Sequence, residues 1–268
     1  MGEETLRLKD KVIIVTGSTT GIGEATVRAC AAEGANVLVH GRNKERGEQI
    51  IASLDGKAKL HIDDMSDPHA PQRLVDAAIN AYGKLDGIVN NAAYIIRSNL
   101  YTTNVDLFDK VMAVNVRAPL LMTKAGIEFL KRTQGSIVNI GSINAYTGEP
   151  NQLDYSMAKA ALMTQSRNLA NLLASDQVRI THFNVGWVIT PNEYNLKISE
   201  GLPEGWSEKP DLEYVPTGKM TKPEDIAQHV VFWLSNDSRP ITGSVIDLEQ
   251  YPVIGRIPLK EGDDKKEN

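Results

Sequence analysis

The sequence is poor in cysteine and has no long apolar run. Its single cysteine, Cys30, can form no disulfide within the chain and no cluster of zinc ligands, which fits a reducing compartment. No stretch approaches the roughly 20 apolar residues that cross a bilayer. Residues 1–10 are charged rather than apolar, unlike an export signal. We therefore expect a cytoplasmic protein with no membrane partner and no metal.

An excess of basic residues is also missing. The chain has 29 Lys and Arg against 34 Asp and Glu, a formal net charge of -5, whereas proteins that bind nucleic acid usually carry clustered positive charge. We therefore expect no nucleic-acid partner. The composition is that of an ordinary globular protein, and 268 residues suit one large α/β domain. We predict a single domain over residues 1–268, with a frayed, strongly polar tail near 258–268.

What the sequence does contain is an alternation of short apolar runs and longer amphipathic stretches. Runs of this length that are apolar on both faces are typical of buried parallel strands, and the intervening stretches are long enough for crossover helices. The pattern predicts an α/β fold, a doubly wound, Rossmann-like parallel sheet of about seven strands with helices on both faces. The predicted strands are Val12–Val15, Val37–Val39, Leu60–Ile62, Ile88–Val89, Ile137–Ile140, Ile180–Val185 and Val245–Leu248. The predicted helices are Gly21–Glu33, Lys44–Leu54, Pro71–Tyr82, Asn115–Lys131, Tyr155–Ser175 and Pro223–Leu234, with stops at Gly34, Gly83 and Gly135.

One connection departs from this alternation. Residues 191–220 contain Pro203, Pro210 and Pro216, between the sixth predicted strand and the last predicted helix. Long irregular connections in compact domains are often lids or binding loops. We therefore predict a substrate loop near residues 187–221, with a plain surface loop as the alternative.

A glycine-rich loop follows the first predicted strand and leads directly into a helix. Residues 16–23 have the sequence Thr-Gly-Ser-Thr-Thr-Gly-Ile-Gly. Glycines in such a turn permit positive φ and let backbone N–H groups approach a pyrophosphate, whose charge the helix dipole favours. A plain tight turn explains the loop about as well by itself, so the case for a dinucleotide depends on the rest of the chain.

Small and amide-bearing residues follow three further predicted strands, in the segments Asn90–Ala93, Asn139–Ser142 and Asn184–Trp187. The carboxyl ends of parallel strands meet at one edge of the sheet, where the ligand crevice of such sheets lies. Asn and Gly also form ordinary turns, but turn formation explains the joint placement of the three segments poorly. We expect them to converge on the glycine loop.

Tyr155 and Lys159 lie four residues apart on a predicted helix, so the phenol and the ammonium share one face. A tyrosine with a pKa of about 10 is a poor base at neutral pH, and a neighbouring cation is expected to lower that pKa. Ser142 can donate a hydrogen bond to a substrate oxygen, and Asn115 could hold a water that leads protons to solvent. A Tyr–Lys pair at this spacing also occurs by chance on many helices.

In combination, these residues closely resemble the short-chain dehydrogenase/reductase family over nearly the whole chain. The resemblance is carried by Gly17, Gly21 and Gly23, by Asn90–Ala92, and by Asn115, Ser142, Tyr155 and Lys159. It implies hydride transfer between a nicotinamide cofactor and a carbonyl or alcohol carbon, with the last four residues as a catalytic tetrad and Tyr155 as proton donor or acceptor. Lys159 would also hold the nicotinamide ribose, Asp64 would contact the adenine, and Thr190 would contact the nicotinamide end. The expected cofactor contacts are Gly17, Ser18, Thr19, Gly21, Ile22, Gly23, Arg42, Asp64, Asn91, Ala92, Tyr155, Lys159 and Thr190.

Two positions depart from the family pattern. Ala93 stands where a glycine usually ends the amide motif, and Val185 stands where a proline usually precedes Gly186. The methyl group of Ala93 should be tolerated, whereas Val185 is expected to reshape the loop beneath the nicotinamide. Neither change removes a catalytic group.

The loop after the second predicted strand bears on the choice of cofactor. Gly41 occupies the position where relatives that prefer NAD commonly carry Asp, whose carboxylate binds the ribose hydroxyls and repels a 2′-phosphate. Arg42 offers a planar fork of donors to that phosphate, with a solvent-facing side chain as the alternative. Ser18, Thr19 and Thr20 are neutral, where many NADP-dependent relatives place a basic residue. We predict that NADP(H) is moderately favoured and that NAD(H) is possible.

The expected pocket wall supplies hydrogen-bonding groups and an aromatic face, which suits a small polar substrate such as a sugar, polyol or cyclic ketone. The predicted wall consists of Ser142, Asn144, Gln152, Trp187, Asn192 and Tyr194. One alternative is an oxoacyl thioester reductase, ranked lower because the long helix offers Asn171 and Asp176 rather than a basic cluster for an acidic carrier. A second is a non-catalytic dinucleotide-binding regulator, which would have no physical reason to retain the tetrad.

Two long predicted helices, 115–131 and 155–175, carry more small and apolar residues than one sheet face can cover. They include Ala158, Ala160, Ala161, Leu162, Ala170 and Ala174. The family resemblance implies a four-helix contact between subunits, so we predict a homo-oligomer, a tetramer with dihedral symmetry.

Overall fold

A computed structural model describes residues 6–255, and the predicted frayed tail lies outside them. Within this range seven strands form one parallel sheet in the order β3-β2-β1-β4-β5-β6-β7. The strands are β1 (Val12–Val15), β2 (Asn36–Gly41), β3 (Ala58–Ile62), β4 (Gly87–Asn90), β5 (Ser136–Ile140), β6 (Arg179–Val185) and β7 (Val245–Leu248). Each of the seven predicted strands lies within one of them. Because β1 pairs with both β2 and β4, the chain order reverses there, and a ligand crevice forms at such a point.

Helices cover both faces of the sheet. They are α1 (Gly21–Ala32), α2 (Lys44–Ala52), α3 (Ala70–Tyr82), α4 (Val105–Met112), α5 (Ala118–Thr133), α6 (Asn144–Thr147), α7 (Leu153–Leu173), α8 (Pro191–Ser199) and α9 (Pro223–Leu234). Apolar residues of α1, α2 and α9 form one core with the sheet, and those of α3, α5 and α7 form another. The predicted doubly wound fold is confirmed. No helix within residues 6–255 is long and apolar enough to cross a membrane.

The helical segment before β5 begins earlier than predicted. Helix α4 starts after Asn104, whose side chain accepts a hydrogen bond from the N–H of Leu107 at 3.0 Å. A π-helical turn, Ala113–Arg117, then joins α4 to α5. The sequence pattern missed α4 because Val105 and Phe108 are exposed, and only Val111 of this helix is buried. A helix whose apolar residues do not face the core is hard to recognise from the spacing of those residues.

The predicted helix stops are correct at two of three positions. Gly34 and Gly83 have positive φ angles of 89° and 76°. At the end of α5, however, Gln134 takes the left-handed conformation, with φ 52°. Gly135 is needed for a different reason, because a Cβ there would lie 2.6 Å from the Asp86 carbonyl oxygen. It permits a close approach of backbones rather than a left-handed turn.

Candidate active site

A cleft of about 1170 Å³ opens at the carboxyl ends of the strands. It is bordered by the glycine loop after β1, by the ends of β2, β4, β5 and β6, and by the first turns of α7 and α8. Cavities of about 300–1,000 Å³ hold drug-sized ligands, so this cleft has room for a dinucleotide. The three polar strand-end segments predicted to converge all contribute residues to it.

The glycine loop is held between β2 and β4. The N–H of Gly17 donates to His40 Nδ1 at 3.1 Å, and the Asn91 side-chain amide donates to the carbonyls of Thr16 and Gly17, both at 2.9 Å. Gly17 has a φ of 63°, and a Cβ there would lie 2.8 Å from Ala92 Cα. The first turn of α1 opens on the same cleft, and such a turn has N–H groups free to bind phosphate. The loop therefore fits a pyrophosphate.

Two of the predicted cofactor contacts in this loop, Ser18 and Gly23, lie behind the loop rather than on the cleft. Ser18 is fully buried, and its hydroxyl donates to the Val15 carbonyl at 2.7 Å and accepts from the His40 N–H at 2.9 Å. Gly23 faces the loop from behind, where a Cβ would overlap the Gly17 carbonyl oxygen and the Asn91 amide. Neither residue lines the cleft. In this structure both residues support the loop.

His40 is a cleft residue that the sequence argument missed. Burial lowers the pKa of its imidazole to about 4, so the ring is neutral at pH 7 and Nδ1 can accept the Gly17 hydrogen bond. Its Nε2 is buried and has no hydrogen-bond partner among the described residues. The available signal was a histidine within the otherwise apolar run of β2, one residue before Gly41.

Gly41, Arg42 and Asp64 line the other end of the cleft. A Cβ at Gly41 would lie 2.5 Å from Thr19 Cγ2 and 2.6 Å from Thr19 Oγ1, so the threonine side chain fills the space beside this glycine. The Arg42 side chain is 70% exposed, and its guanidinium lies 3.8 Å from an Asp64 carboxylate oxygen. Arg42, which is predicted to bind a 2′-phosphate, therefore lies at the cleft and is only weakly paired with Asp64.

Ser142, Tyr155 and Lys159 meet on one wall of the cleft. Ser142 follows β5, whereas Tyr155 and Lys159 lie near the start of α7, all three largely buried. The Ser142 hydroxyl hydrogen-bonds with the Tyr155 phenol. Lys159 Nζ donates to the Ile140 carbonyl at 2.7 Å and lies 5.5 Å from the centre of the Tyr155 ring. The structure thus brings together three of the four predicted catalytic residues.

The pKa of Tyr155 is raised, which corrects the expected direction. Burial is the main cause and the negative charge of Glu193 adds to it, while the hydrogen bond with Ser142 opposes them. Lys159 does not offset this rise, and its ammonium donates to the Ile140 carbonyl. Burial also lowers the pKa of Lys159, to about 8.

Asn115 lies in the π-helical turn and is almost fully buried. Its side chain donates to the carbonyls of Tyr94 and Val111, both at 3.0 Å, and accepts from the Tyr94 N–H at 3.3 Å. It does not line the cleft, although Tyr94 does. In this structure Asn115 holds the loop after β4 against the helix, and its predicted role in carrying protons stays a prediction.

Four predicted wall residues besides Ser142 do line the cleft: Asn144, Gln152, Trp187 and Asn192. The Asn144 amide donates to Gln152 Oε1 at 3.2 Å. Tyr194, the remaining predicted wall residue, does not line the cleft. Its hydroxyl accepts from the Gly205 N–H at 3.0 Å, and its ring stacks on Trp206 at a centroid distance of 6.1 Å. It belongs to the small core within the predicted substrate loop.

The residue before Tyr194 was missed and lines the cleft instead. Glu193 lies in the first turn of α8, where its N–H donates to the Thr190 hydroxyl at 3.1 Å. Its carboxylate accepts a hydrogen bond from Trp187 Nε1 at 2.8 Å. The sequence signal was its position three residues after Thr190, a residue type that often caps a helix.

Both departures from the family pattern have a simple structural account. Ala93 is exposed and does not have a positive φ, so its methyl group causes no backbone strain. Val185 ends β6, where it pairs with Leu248, and its carbonyl accepts from the Ile143 N–H at 3.1 Å. The Glu249 carboxylate lies against the next residue, Gly186, and accepts a hydrogen bond from the Trp187 N–H at 3.1 Å.

Comparison with known proteins identifies the family to which this chain belongs. The sequence model of a family described as enoyl-(acyl carrier protein) reductase matches residues 17–249. A 3-oxoacyl-[acyl-carrier-protein] reductase of Thermotoga maritima is 31% identical over 93% of this chain and 100% of its own length. Dehydrogenase/reductase SDR family member 4 of Sus scrofa is 34% identical over 89% of this chain and 86% of its own length. The crystal structure of 3-ketoacyl-(acyl-carrier-protein) reductase from Brucella melitensis, complexed with NADH, superposes on this chain with a TM-score of 0.80 at 27% sequence identity. The superposition covers 90% of this chain and 97% of the Brucella melitensis chain. The chain belongs to the short-chain dehydrogenase/reductase family of nicotinamide-dependent oxidoreductases.

Proposed function

We propose that this protein interconverts the carbonyl and alcohol forms of a small polar molecule, such as a sugar, polyol or cyclic ketone, with NADP(H) as the favoured cofactor. The observation that carries the proposal is the joint placement of Ser142, Tyr155 and Lys159 on one wall of the cleft that the glycine loop borders. A non-catalytic regulator would need the loop but not the three buried polar groups. Burying such groups costs free energy, and a catalytic role explains their presence.

The residues that would hold the cofactor line the cleft from end to end. They are Gly17, Thr19, Gly21, Ile22, Arg42, Asp64, Asn91, Ala92, Tyr155, Lys159 and Thr190. When bound, the nicotinamide supplies or accepts the hydride. Gly41 brings no carboxylate to repel a 2′-phosphate, and the exposed Arg42 side chain is free to approach one. NAD(H) stays possible because the glycine loop contains no second cation.

Proton transfer is assigned to Tyr155. Its raised pKa means that the phenol carries its proton at pH 7, which is the form that carbonyl reduction requires. The phenol donates this proton to the carbonyl oxygen as negative charge develops there, and the Ser142 hydroxyl stabilises the same oxygen by a hydrogen bond. Lys159, whose ammonium donates to the Ile140 carbonyl, would hold the nicotinamide ribose beside this phenol.

An oxoacyl thioester is the alternative substrate. It is supported by the similarity to the Thermotoga maritima and Brucella melitensis reductases, at 31% and 27% identity. A screen that follows the absorbance of reduced nicotinamide across sugars, polyols, cyclic ketones and oxoacyl thioesters separates the two. The proposal also includes a homotetramer, supported by exposed apolar side chains on α5 and α7, namely Leu120, Met157 and Leu172.

Replacement of Tyr155 by Phe tests the mechanism directly. The change removes one hydroxyl and is expected to lower turnover by about 10²–10⁴-fold, while the fold and cofactor affinity stay nearly unchanged. Turnover is measured by nicotinamide absorbance and cofactor affinity by fluorescence titration. Tyr101→Phe is the matched control, since that ring is 92% exposed and outside the cleft. Retention of more than about a tenth of the wild-type turnover by Tyr155→Phe would contradict the assignment.

A further inference from the structure

A carboxylate stands in the cleft at a fixed position. Glu193 lines the cleft from the first turn of α8, and one of its oxygens accepts from Trp187 Nε1 at 2.8 Å. The Trp187 ring is itself held, because it stacks on Trp206 at 5.4 Å and has Lys197 Nζ 5.7 Å from its centre. The carboxylate is therefore oriented in advance, as a recognition group needs to be.

Two cations that line the same cleft are paired with a different carboxylate. Arg97 and Lys197 also line the cleft, but Arg97 Nε donates to Glu200 at 2.9 Å and Lys197 Nζ donates to Glu200 at 2.8 Å. Within residues 6–255, Glu193 forms no ion pair with a basic side chain closer than 4 Å. Its charge also reaches the reacting centre, since it contributes to the raised pKa of Tyr155. An ionised group placed like this favours a positive or donating group on a ligand.

We propose that Glu193 determines substrate specificity by accepting a hydrogen bond from a donor group next to the reacting carbonyl. An ammonium group is preferred to a hydroxyl as that donor, and substrates that carry an anion at the same position are excluded. The inference rests on the proposed function and names the class of its substrate: amino ketones and hydroxy ketones, with the corresponding alcohols. An ionised carboxylate can only accept hydrogen bonds. Like charges brought together in a partly buried site repel each other strongly.

The test uses four ketones that share one skeleton, CH3–CO–CH2–X. They are aminoacetone, hydroxyacetone, butanone and acetoacetate, in which X is an ammonium, hydroxyl, methyl and carboxylate group. Their reduction by NADPH at pH 7 is followed at 340 nm with the full-length protein. Glu193→Gln removes the charge but keeps an oxygen that can accept the Trp187 hydrogen bond. Glu204→Gln is the control, because Glu204 is exposed and outside the cleft.

We expect kcat/KM to fall in the order ammonium, hydroxyl, methyl, carboxylate, with the ammonium preferred to the methyl group by about ten- to hundredfold, the size of one hydrogen bond to a charged group. Glu193→Gln should reduce the preference for aminoacetone over acetoacetate by about tenfold or more, and Glu204→Gln should preserve it. Equal rates for the four ketones, or a preference for aminoacetone over acetoacetate that Glu193→Gln leaves unchanged, would overturn the inference. Reduction of cyclic ketones but none of these four would overturn it while the proposed function stands. NADPH binding without reduction of any carbonyl compound would overturn both.

Discussion

The contact between Thr19 and Gly41 predicts how the cofactor preference can and cannot be changed. In relatives that prefer NAD, the position of Gly41 commonly carries Asp. Here a Cβ at that position would lie 2.5 Å from Thr19 Cγ2 and 2.6 Å from Thr19 Oγ1, but 3.1 Å from Thr19 Cβ. Gly41→Asp therefore introduces an overlap that Thr19→Ala relieves, because the alanine lacks the two nearest atoms.

The size of the effect follows from this overlap. Overpacking of a well-packed site costs about 1–3 kcal/mol, so Gly41→Asp alone should lower the melting temperature by about 2–4 °C for each kcal/mol. It should also weaken NADP binding, because the new carboxylate repels the 2′-phosphate. In the Thr19→Ala background the carboxylate has room to bind the ribose hydroxyls. Hydrogen bonds to a charged group contribute about 1.5–3 kcal/mol, or about ten- to hundredfold in NAD affinity.

A double-mutant cycle measures this coupling. The wild type, both single variants and the double variant are compared by thermal unfolding and by kcat/KM with NAD and NADP. We expect the double variant to regain most of the stability lost in Gly41→Asp and to prefer NAD, with a coupling energy within the range of about 0.5–3 kcal/mol seen for contacting residues. A Gly41→Asp single variant that is as stable as the wild type and already prefers NAD would refute the reasoning.

Two further predictions concern the cofactor and the assembly. Arg42→Ala should raise the Michaelis constant for NADP by about ten- to hundredfold and leave that for NAD nearly unchanged, because it removes one charge-assisted contact to the 2′-phosphate. Initial rates with each cofactor measure this, and equal or better efficiency with NAD in the unmutated enzyme would make Arg42 a bystander. The protein should also be a tetramer at micromolar concentration by light scattering, because Leu172 of α7 is 66% exposed in the single chain and apolar helix faces are covered by association. A scattering mass of one chain would contradict this prediction.

The strands and the general location of the cleft could be predicted from sequence. A buried parallel strand is apolar on both faces, so runs such as Val12–Val15 and Ile137–Ile140 can be recognised from a few adjacent residues. Once the strands are ordered along the chain, the residues that follow them must meet at one edge of the sheet. The position of Ser142 on the cleft follows from this local information, whereas those of Tyr155 and Lys159 were expected from the family resemblance.

Only the tertiary structure decided which side chains face the cleft and in which direction the pKa of Tyr155 moves. The choice between Glu193 and Tyr194 depends on how α8 packs, because Tyr194 stacks on Trp206 and accepts a hydrogen bond from the Gly205 N–H, away from the cleft. Likewise, the His40 N–H donates a hydrogen bond to the Ser18 hydroxyl behind the glycine loop, and the Ile140 carbonyl binds the ammonium of Lys159. These contacts join residues on different strands and helices. Sequence spacing determines which residues share an element, whereas burial and hydrogen bonding between elements determine what each side chain touches.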